Sequence, residues 1–185
     1  LFDNLKLNIP EITEVTPNYI YEISFTPNDS LYSLQWSHRN TRAEQAWDVQ
    51  RGSEDVVVAV IDTGVDLQHP DLQNNLWVNQ DEIAGNNIDD DNNGFVDDIN
   101  GYDFVALTNT TSCNTSEDCR DRDSNPDDFH AHGTHVAGIA AGVSNNSRGI
   151  TGVCHNCKIM ALRAGYSTPD GGGSVSYTHL RAHET

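Results

Sequence analysis

FHAHGTHVAGIAAG, residues 129–142, is the stretch from which the fold is read. From Val136 onward it is nearly all small or apolar, without the polar stripe of a surface helix. A helix apolar on every side belongs in the middle of a domain. Ala137, Gly138, Ala140, Ala141 and Gly142 have little side chain, so neighbouring elements can come close to its backbone. His132 and His135 stand at its entrance, three apart and on roughly one face. Taken alone, HGTH describes two satisfied core histidines as well as it describes a fixed catalytic base.

Seventy residues upstream, Val56–Ile61 reads VVVAVI, a β-branched run of the kind buried on both faces of a parallel sheet. It ends in Asp62-Thr63-Gly64. A carboxylate therefore sits at the C-terminal end of a strand, where open α/β sheets place their chemistry. An aspartate that orients an imidazole is half of a Ser-His-Asp arrangement.

Two segments resemble a known family. VVVAVIDTGVDLQHPDL (56–72) and HGTHVAGIAAG (132–142) are similar to the Asp and His motifs of the subtilisin-like serine proteases, the subtilases of the peptidase S8 type. The likeness is nearest to the thermitase-like branch and runs from about Glu14 to Ser176. The order Asp, His and then a later Ser is that of subtilisin. The resemblance implies an α/β fold, the subtilisin-like three-layer architecture with a mainly parallel sheet and helices on both faces, incomplete at its C-terminal end. It makes Asp62 the triad acid, His132 the general base and His135 a structural histidine.

A length of 185 residues suits one domain, or one domain with a fragment of another. The net charge of −18 excludes nucleic acid as a partner, because nothing offsets phosphate repulsion. No apolar run is long enough to span a bilayer. No signal peptide is visible and the chain opens at Leu1, which suggests a cut at the N-terminal end. Four closely spaced cysteines in an acidic chain point to disulfides and to a secreted or extracellular protein. Of the three possible connectivities, the local pairing Cys113–Cys119 and Cys154–Cys157 is preferred.

Asn18–Phe25, NYIYEISF, alternates like a strand. It reads as an edge strand of the main domain or, by resemblance, as the last strand of an inhibitory propeptide. The second reading divides the chain into residues 1–26, the end of a propeptide that inhibits its own enzyme, and residues 27–176, the catalytic domain. Maturation then cuts near Ser24–Pro27. Trp36 and Trp47 read as packing anchors, and AEQAWDVQ (43–50) as a short helix.

Residues 81–128 form an acidic insert that holds 14 of the 28 acidic residues against Arg120 and Arg122. A charge run is usually a solvated loop. Asp89-Asp-Asp-Asn-Asn-Gly-Phe-Val-Asp-Asp98 is more particular. Oxygen ligands at loop positions one, three and five followed by glycine at six make the front half of an EF-hand-type calcium loop. Asp89, Asp91, Asn93, the Phe95 carbonyl and one or both of Asp97 and Asp98 are the expected Ca2+ ligands. Asn100 replaces the usual bidentate Glu at position twelve. Asn109 and Asn114 open formal glycosylation sequons.

The resemblance alone implies a second calcium site. Its ligands match Asp29, Asp71, Asn146 and the carbonyls of Val143, Arg148 and Ile150. Lys158–Leu162 reads as another buried strand. The Cys154-x-x-Cys157 spacing fits a structural disulfide or two free thiols better than zinc. Asp170–Gly173, DGGG, resembles the edge where subtilases bind protein or peptide substrates as an added strand, with Gly171, Gly172 and Gly173 leaving room for substrate side chains. A flexible linker is the alternative.

The family pattern stops near Tyr177, and YTHLRAHET (177–185) reads as a foreign tail. No Gly-Thr-Ser nucleophile follows His132, since Ser167, Ser174 and Ser176 lack that setting, and the oxyanion asparagine is missing too. The resemblance thus implies a calcium-dependent serine endopeptidase in a full-length parent, and the missing nucleophile implies an inactive fragment as it stands. Two rivals remain. One is a non-catalytic calcium-binding module or pseudoenzyme; the other is a zinc site built from Asp62, His132 and His135.

Overall fold

A computed structural model describes residues 25–175. Most of the strand expected at Asn18–Phe25, together with Ser176 and the tail 177–185, lies outside them. The described chain opens with two short helices, α1 (Trp36–Thr41) and α2 (Ala43–Trp47). Then come β1 (Val57–Asp62), β2 (Gly101–Asp103), helix α3 (His132–Ala141), β3 (Lys158–Arg163), β4 (Gly165–Ser167) and β5 (Gly173–Val175).

The β-branched run of β1 and the KIMALR segment of β3 pair in parallel, Val57 opposite Lys158 and Asp62 opposite Arg163. Strand β2 adds to the other edge of β3, also in parallel, so the sheet order is β1–β3–β2. All three strands therefore end at the same side, and Asp62, Arg163 and Asp103 stand in one row across them. This is the α/β architecture, with α3 packed on one face of a parallel sheet. Strands β4 and β5 form a separate antiparallel hairpin.

The core lies between α3 and the sheet. Val60, Ile159 and Ala161 from the strands meet Ala137 and Ala141 of the helix, with Val65, Leu72 and Cys157 beside them. Fully burying a side chain such as Ile159 or Leu72 contributes about 1.5–3 kcal/mol each. Small helix residues make that approach possible, most sharply at Gly133. A Cβ there would lie 2.1 Å from the Gly64 carbonyl oxygen.

Two burial expectations need correcting. Strand β1 is covered on one face only: Val57 and Ile61, which alternate with the buried side of the strand, are 38% and 54% exposed. Helix α3 likewise buries Gly133, Ala137, Gly138 and Ala141 while His135 and Ile139, four apart, face outward. An apolar sequence states that a surface suits burial; a neighbouring element must still be present to cover it.

The two tryptophans also part company. Trp47 is buried, its indole N–H donating to the Val153 carbonyl at 2.8 Å and its ring packed among Phe25, His38 and His155. Trp36 is 68% exposed and anchors nothing among the described residues. It stands two positions from the buried His38, and a helix turns such neighbours about 200° apart. Phe25 packs onto the domain, with its N–H on Asp48 Oδ1 at 3.1 Å and the Arg51 guanidinium over its ring at 4.1 Å.

Cys113–Cys119 and Cys154–Cys157 are both disulfide-bonded. Among the described residues no helix is long and apolar enough to cross a membrane.

Candidate active site

Strand β1 delivers Asp62 to the C-terminal edge of the sheet, and the Thr63-Gly64 turn runs directly beneath the first turn of α3. The Gly133 N–H donates to Thr63 Oγ1 at 3.0 Å, and Asp66 N–H donates to Thr134 Oγ1 at 2.9 Å. These bonds, with the close approach at Gly133, bring His132 against Asp62. His132 Nδ1 lies 2.7 Å from Asp62 Oδ1, which also accepts the Thr63 N–H at 2.8 Å. The carboxylate side chain is 16% exposed and the imidazole 61%.

A carboxylate only accepts, so Nδ1 carries the proton and Nε2 of the neutral ring is left with a lone pair. The hydrogen bond that His132 donates to Asp62, reinforced by the carboxylate charge, raises the His132 pKa above the ordinary imidazole value. This is an exposed, oriented base.

Asp128, which sequence reasoning passed over, locks the approach to His132. Its Oδ1 accepts from Thr63 Oγ1 and from the N–H groups of His130 and Ala131, each at 2.9 Å. Its Oδ2 accepts from the Thr134 N–H at 2.9 Å and the Thr134 hydroxyl at 2.6 Å. Burial pushes the Asp128 carboxyl up, but the bonds from Thr134, His130 and Thr63 outweigh it and hold it below the usual carboxylate range. The signal for it was present, since an acidic residue just ahead of a helix satisfies free amides and favours the positive end of the dipole.

The zinc arrangement does not assemble. Asp62, His132 and His135 do not bring three ligand atoms within 4.8 Å of one another, and His135 is exposed to solvent. Both Cys-x-x-Cys sulfurs are consumed in a disulfide.

Asp29, Asp71 and the loop 143–150 converge. Asp29 and Asp71 are buried. Asp29 accepts from the Asn145 and Asn146 N–H groups and from Thr151 Oγ1. Asp71 accepts from Asn146 Nδ2 at 2.7 Å and the Ile150 N–H at 2.9 Å, and its carbonyl takes the Val143 N–H. The Arg148 N–H donates to Asn146 Oδ1. Gly149 has φ +42°, and a Cβ on it would sit 2.1 Å from Asp71 Oδ2, so the loop is shaped to the carboxylate.

In the acidic insert the carboxylates sort differently from their sequence positions. Asp89 accepts the Asn93 and Gly94 N–H groups, and Asp97 those of Asn86 and Asn87. Asp91, Asp98 and Glu82 place carboxylate oxygens within 4.8 Å of one another. Asn79 and Asn93 each donate to both Asp91 and Asp98. The bond from Asn79 is the main cause that lowers the Asp91 pKa. The Phe95 ring packs on Tyr102 and Phe104. Glu82 lies outside the loop motif, and no spacing rule points to it.

Among the described ion pairs none involves Asp29, Asp71, Glu82, Asp91 or Asp98. Both groups are therefore hard oxygen donors held by hydrogen bonds but paired with no cationic side chain, a set that suits a divalent cation such as calcium. Gly171, at φ +84°, closes the turn between β4 and β5, while Gly173 opens β5 beside the His130 ring.

The subtilase family model (peptidase S8) matches residues 53–182. The thermophilic serine proteinase of Bacillus sp. (strain AK1) is 39% identical over 158 residues, 85% of this chain and 30% of that protein. Thermitase from Thermoactinomyces vulgaris is 34% identical over 155 residues, 83% of this chain and 40% of its own length. A solved protease from Pseudoalteromonas arctica PAMC 21717 aligns with a TM-score of 0.57 at 30% identity, covering 83% of this chain and 46% of that one. The chain spans less than half the length of each of these relatives. A family match across most of the chain, with a shared fold, makes this protein a member of the subtilase family.

Proposed function

We propose that this chain carries the first two members of the catalytic triad of a calcium-dependent serine endopeptidase that works outside the cell. The observation that supports this most directly is the 2.7 Å contact between Asp62 Oδ1 and His132 Nδ1. With Nδ1–H held by the carboxylate, Nε2 takes the proton of a serine hydroxyl as its oxygen bonds to the scissile carbonyl carbon. The imidazolium so formed is stabilised by Asp62. It returns the proton to the departing amine as the C–N bond breaks, leaving an acyl-enzyme. Water, deprotonated by the same nitrogen, then releases the acid and restores the serine. Ser167 does not serve as nucleophile, because it is buried in β4 with its hydroxyl on the Phe129 carbonyl. On this reading the serine and the oxyanion asparagine belong to a longer parent polypeptide, and the chain alone does not hydrolyse peptides.

Protein or peptide substrates dock along Gly171–Gly173. Strand β5 has only β4 as a strand partner among the described residues, so its other edge offers main-chain groups to an extended peptide. Calcium, when bound, neutralises carboxylates and ties chain segments together. Asp29, Asp71, Asn146 and the Val143, Arg148 and Ile150 carbonyls would hold one ion. Asp91 and Asp98, joined by Glu82, would hold another, with Asp89, Asn93, Phe95 and Asp97 shaping that loop. Residues 1–26 act as the end of an inhibitory propeptide, and the two disulfides suit an oxidising, extracellular setting.

The test is to express the full-length protein and treat it with a fluorophosphonate probe. Label is expected on a serine downstream of this chain, with casein hydrolysis that His132→Ala abolishes. Calcium uptake without label would instead select a non-catalytic calcium-binding module, the reading that the Glu82–Asp91–Asp98 cluster favours on its own.

A further inference from the structure

Arg163 is a fully buried cation at the end of β3, opposite Asp62 in the strand register. Its guanidinium pairs with Asp103 of β2 and, through Nη2 at 2.5 Å, with Glu117 Oε1. Burial pushes the Asp103 carboxyl up to about 7 while Arg163 pulls the other way. Glu117 comes from the loop closed by Cys113–Cys119, in the middle of the acidic insert. Its second oxygen, Oε2, accepts the Ser167 N–H of β4 at 2.7 Å. The same loop donates Asn114 N–H to the Ser167 carbonyl at 2.8 Å. Both main-chain groups of Ser167 are thus held by the disulfide loop, and Ser167 pairs in register with Gly173 of β5. Val105, Leu107 and Tyr166 pack around the disulfide and close the unit.

The unit also reaches the histidine loop. The Phe129 ring lies 5.0 Å from the Arg163 guanidinium, and the Phe129 carbonyl accepts from Ser167 Oγ. His130, next in sequence, flanks Gly173, and its ring centroid is 6.4 Å from that of His132. One carboxylate, Glu117, therefore joins the end of the main sheet to the hairpin that borders the catalytic histidine.

We propose that the Cys113–Cys119 loop is a buttress for extended substrates. Glu117 is its positioning residue, setting the β4–β5 hairpin at the height where a peptide can add along β5. This deepens the protease reading and rests on it. The insert then acts on substrate alignment without touching the reacting atoms. Its effect falls on peptides long enough to run along the hairpin edge and spares small esters that occupy only the acyl position.

Glu117→Gln is isosteric, but its amide has one acceptor and one donor end. It must turn an N–H toward either Ser167 N–H or Arg163, and so loses one of the two contacts. Should the buried Arg163 make that variant fold poorly, Asn114→Pro removes the other bond to Ser167 without touching the ion pairs. Cys113 already has the extended backbone (φ −101°, ψ 148°) that a following proline requires. In the full-length protease, kcat/KM is measured for a peptide spanning several subsites and for a single-residue ester. Each variant is expected to lower the peptide value about tenfold, mainly through KM, the loss typical of one hydrogen bond. The ester value should stay within about twofold. A parallel loss on both substrates, or no change in their ratio, overturns the buttress and leaves the protease reading standing. A wild-type protein without peptidase activity overturns both.

Discussion

Asp128→Asn tests whether the carboxylate ahead of α3, rather than the helix itself, fixes His132. Five donors converge on that side chain: Thr63 Oγ1, the N–H groups of His130 and Ala131, and the N–H and hydroxyl of Thr134. An asparagine keeps one acceptor atom for the first three. Its amide nitrogen can donate to the Thr134 hydroxyl once that hydroxyl rotates, but it cannot accept the Thr134 N–H. One partly buried amide is orphaned, at about 1–3 kcal/mol. Losing a negative charge at a helix N-terminus adds about 0.3–1 kcal/mol. The expected destabilisation at pH 7 is about 1.3–4 kcal/mol, or about 3–16 °C in midpoint for a chain of this size. The pH dependence separates charge from shape. Because the folded carboxyl sits below its usual range, its stabilisation is present above the unfolded value of about 3.9 and disappears as pH falls through the folded one. Urea unfolding of both proteins between pH 7 and pH 3 should show the gap closing as the solution turns acid. A variant within about 0.5 kcal/mol of the wild type at pH 7, or a gap that stays constant down to pH 3, refutes the assignment.

The His132 imidazole should titrate above the ordinary value in the wild type and move back toward it in Asp62→Asn, as followed by proton NMR. Since its folded pKa is raised, the contact stabilises fully below the unfolded value of about 6.5 and is lost as pH rises through the folded one. A wild-type ring titrating at or below 6.5 contradicts the contact. Gly133→Ala would place a Cβ 2.1 Å from the Gly64 carbonyl oxygen and 3.0 Å from Asp62 Cβ. Overpacking of this kind costs about 1–3 kcal/mol, and it should also abolish the upward shift of His132; retention of that shift goes against the backbone approach as the spacer. Excess chelator should lower the thermal midpoint, because an ion held at 100 times its Kd contributes about 2.7 kcal/mol. A midpoint unmoved by chelator and by Asp71→Asn removes calcium from this fold.

The parallel pairing of the two longest strands and the helix between them are legible in the sequence because each is a local pattern. Val56–Ile61 is β-branched throughout, and Val136–Gly142 has no residue too large for close packing. Which face gets covered is not local. Ile61 and Val60 are equally apolar, yet only Val60 meets α3, and Ile139 is as apolar as the buried residues around it. The same limit applies to polar groups. Glu82 joins Asp91 and Asp98 because the insert folds back on itself. Glu117 finds Arg163 only because the short Cys113–Cys119 disulfide loop lands on the end of β3.

The candidate triad pair is legible because both segments resemble a family's motifs, and the structure shows the physical reason the two belong together. Asp62 and His132 are seventy residues apart, and no periodicity connects them. Small residues do. Gly64 and Gly133 are the points where the turn after β1 and the first turn of α3 touch, and a methyl group at Gly133 would push the two apart. Thr63 and Thr134 then cross-link the same two turns, Thr63 Oγ1 accepting from Gly133 and Thr134 Oγ1 accepting from Asp66. The tripeptides Asp62-Thr-Gly64 and His132-Gly-Thr134 each carry one functional side chain and one threonine clasp; Gly133 is the spacer against the Gly64 carbonyl, while a Cβ on Gly64 itself would meet the Pro126 and Asp127 carbonyls. The two halves hold their side chains at a set separation, which gives physical content to a pairing that the sequence names only through its family resemblance, whereas the acidic insert folds by contacts that no such motif records.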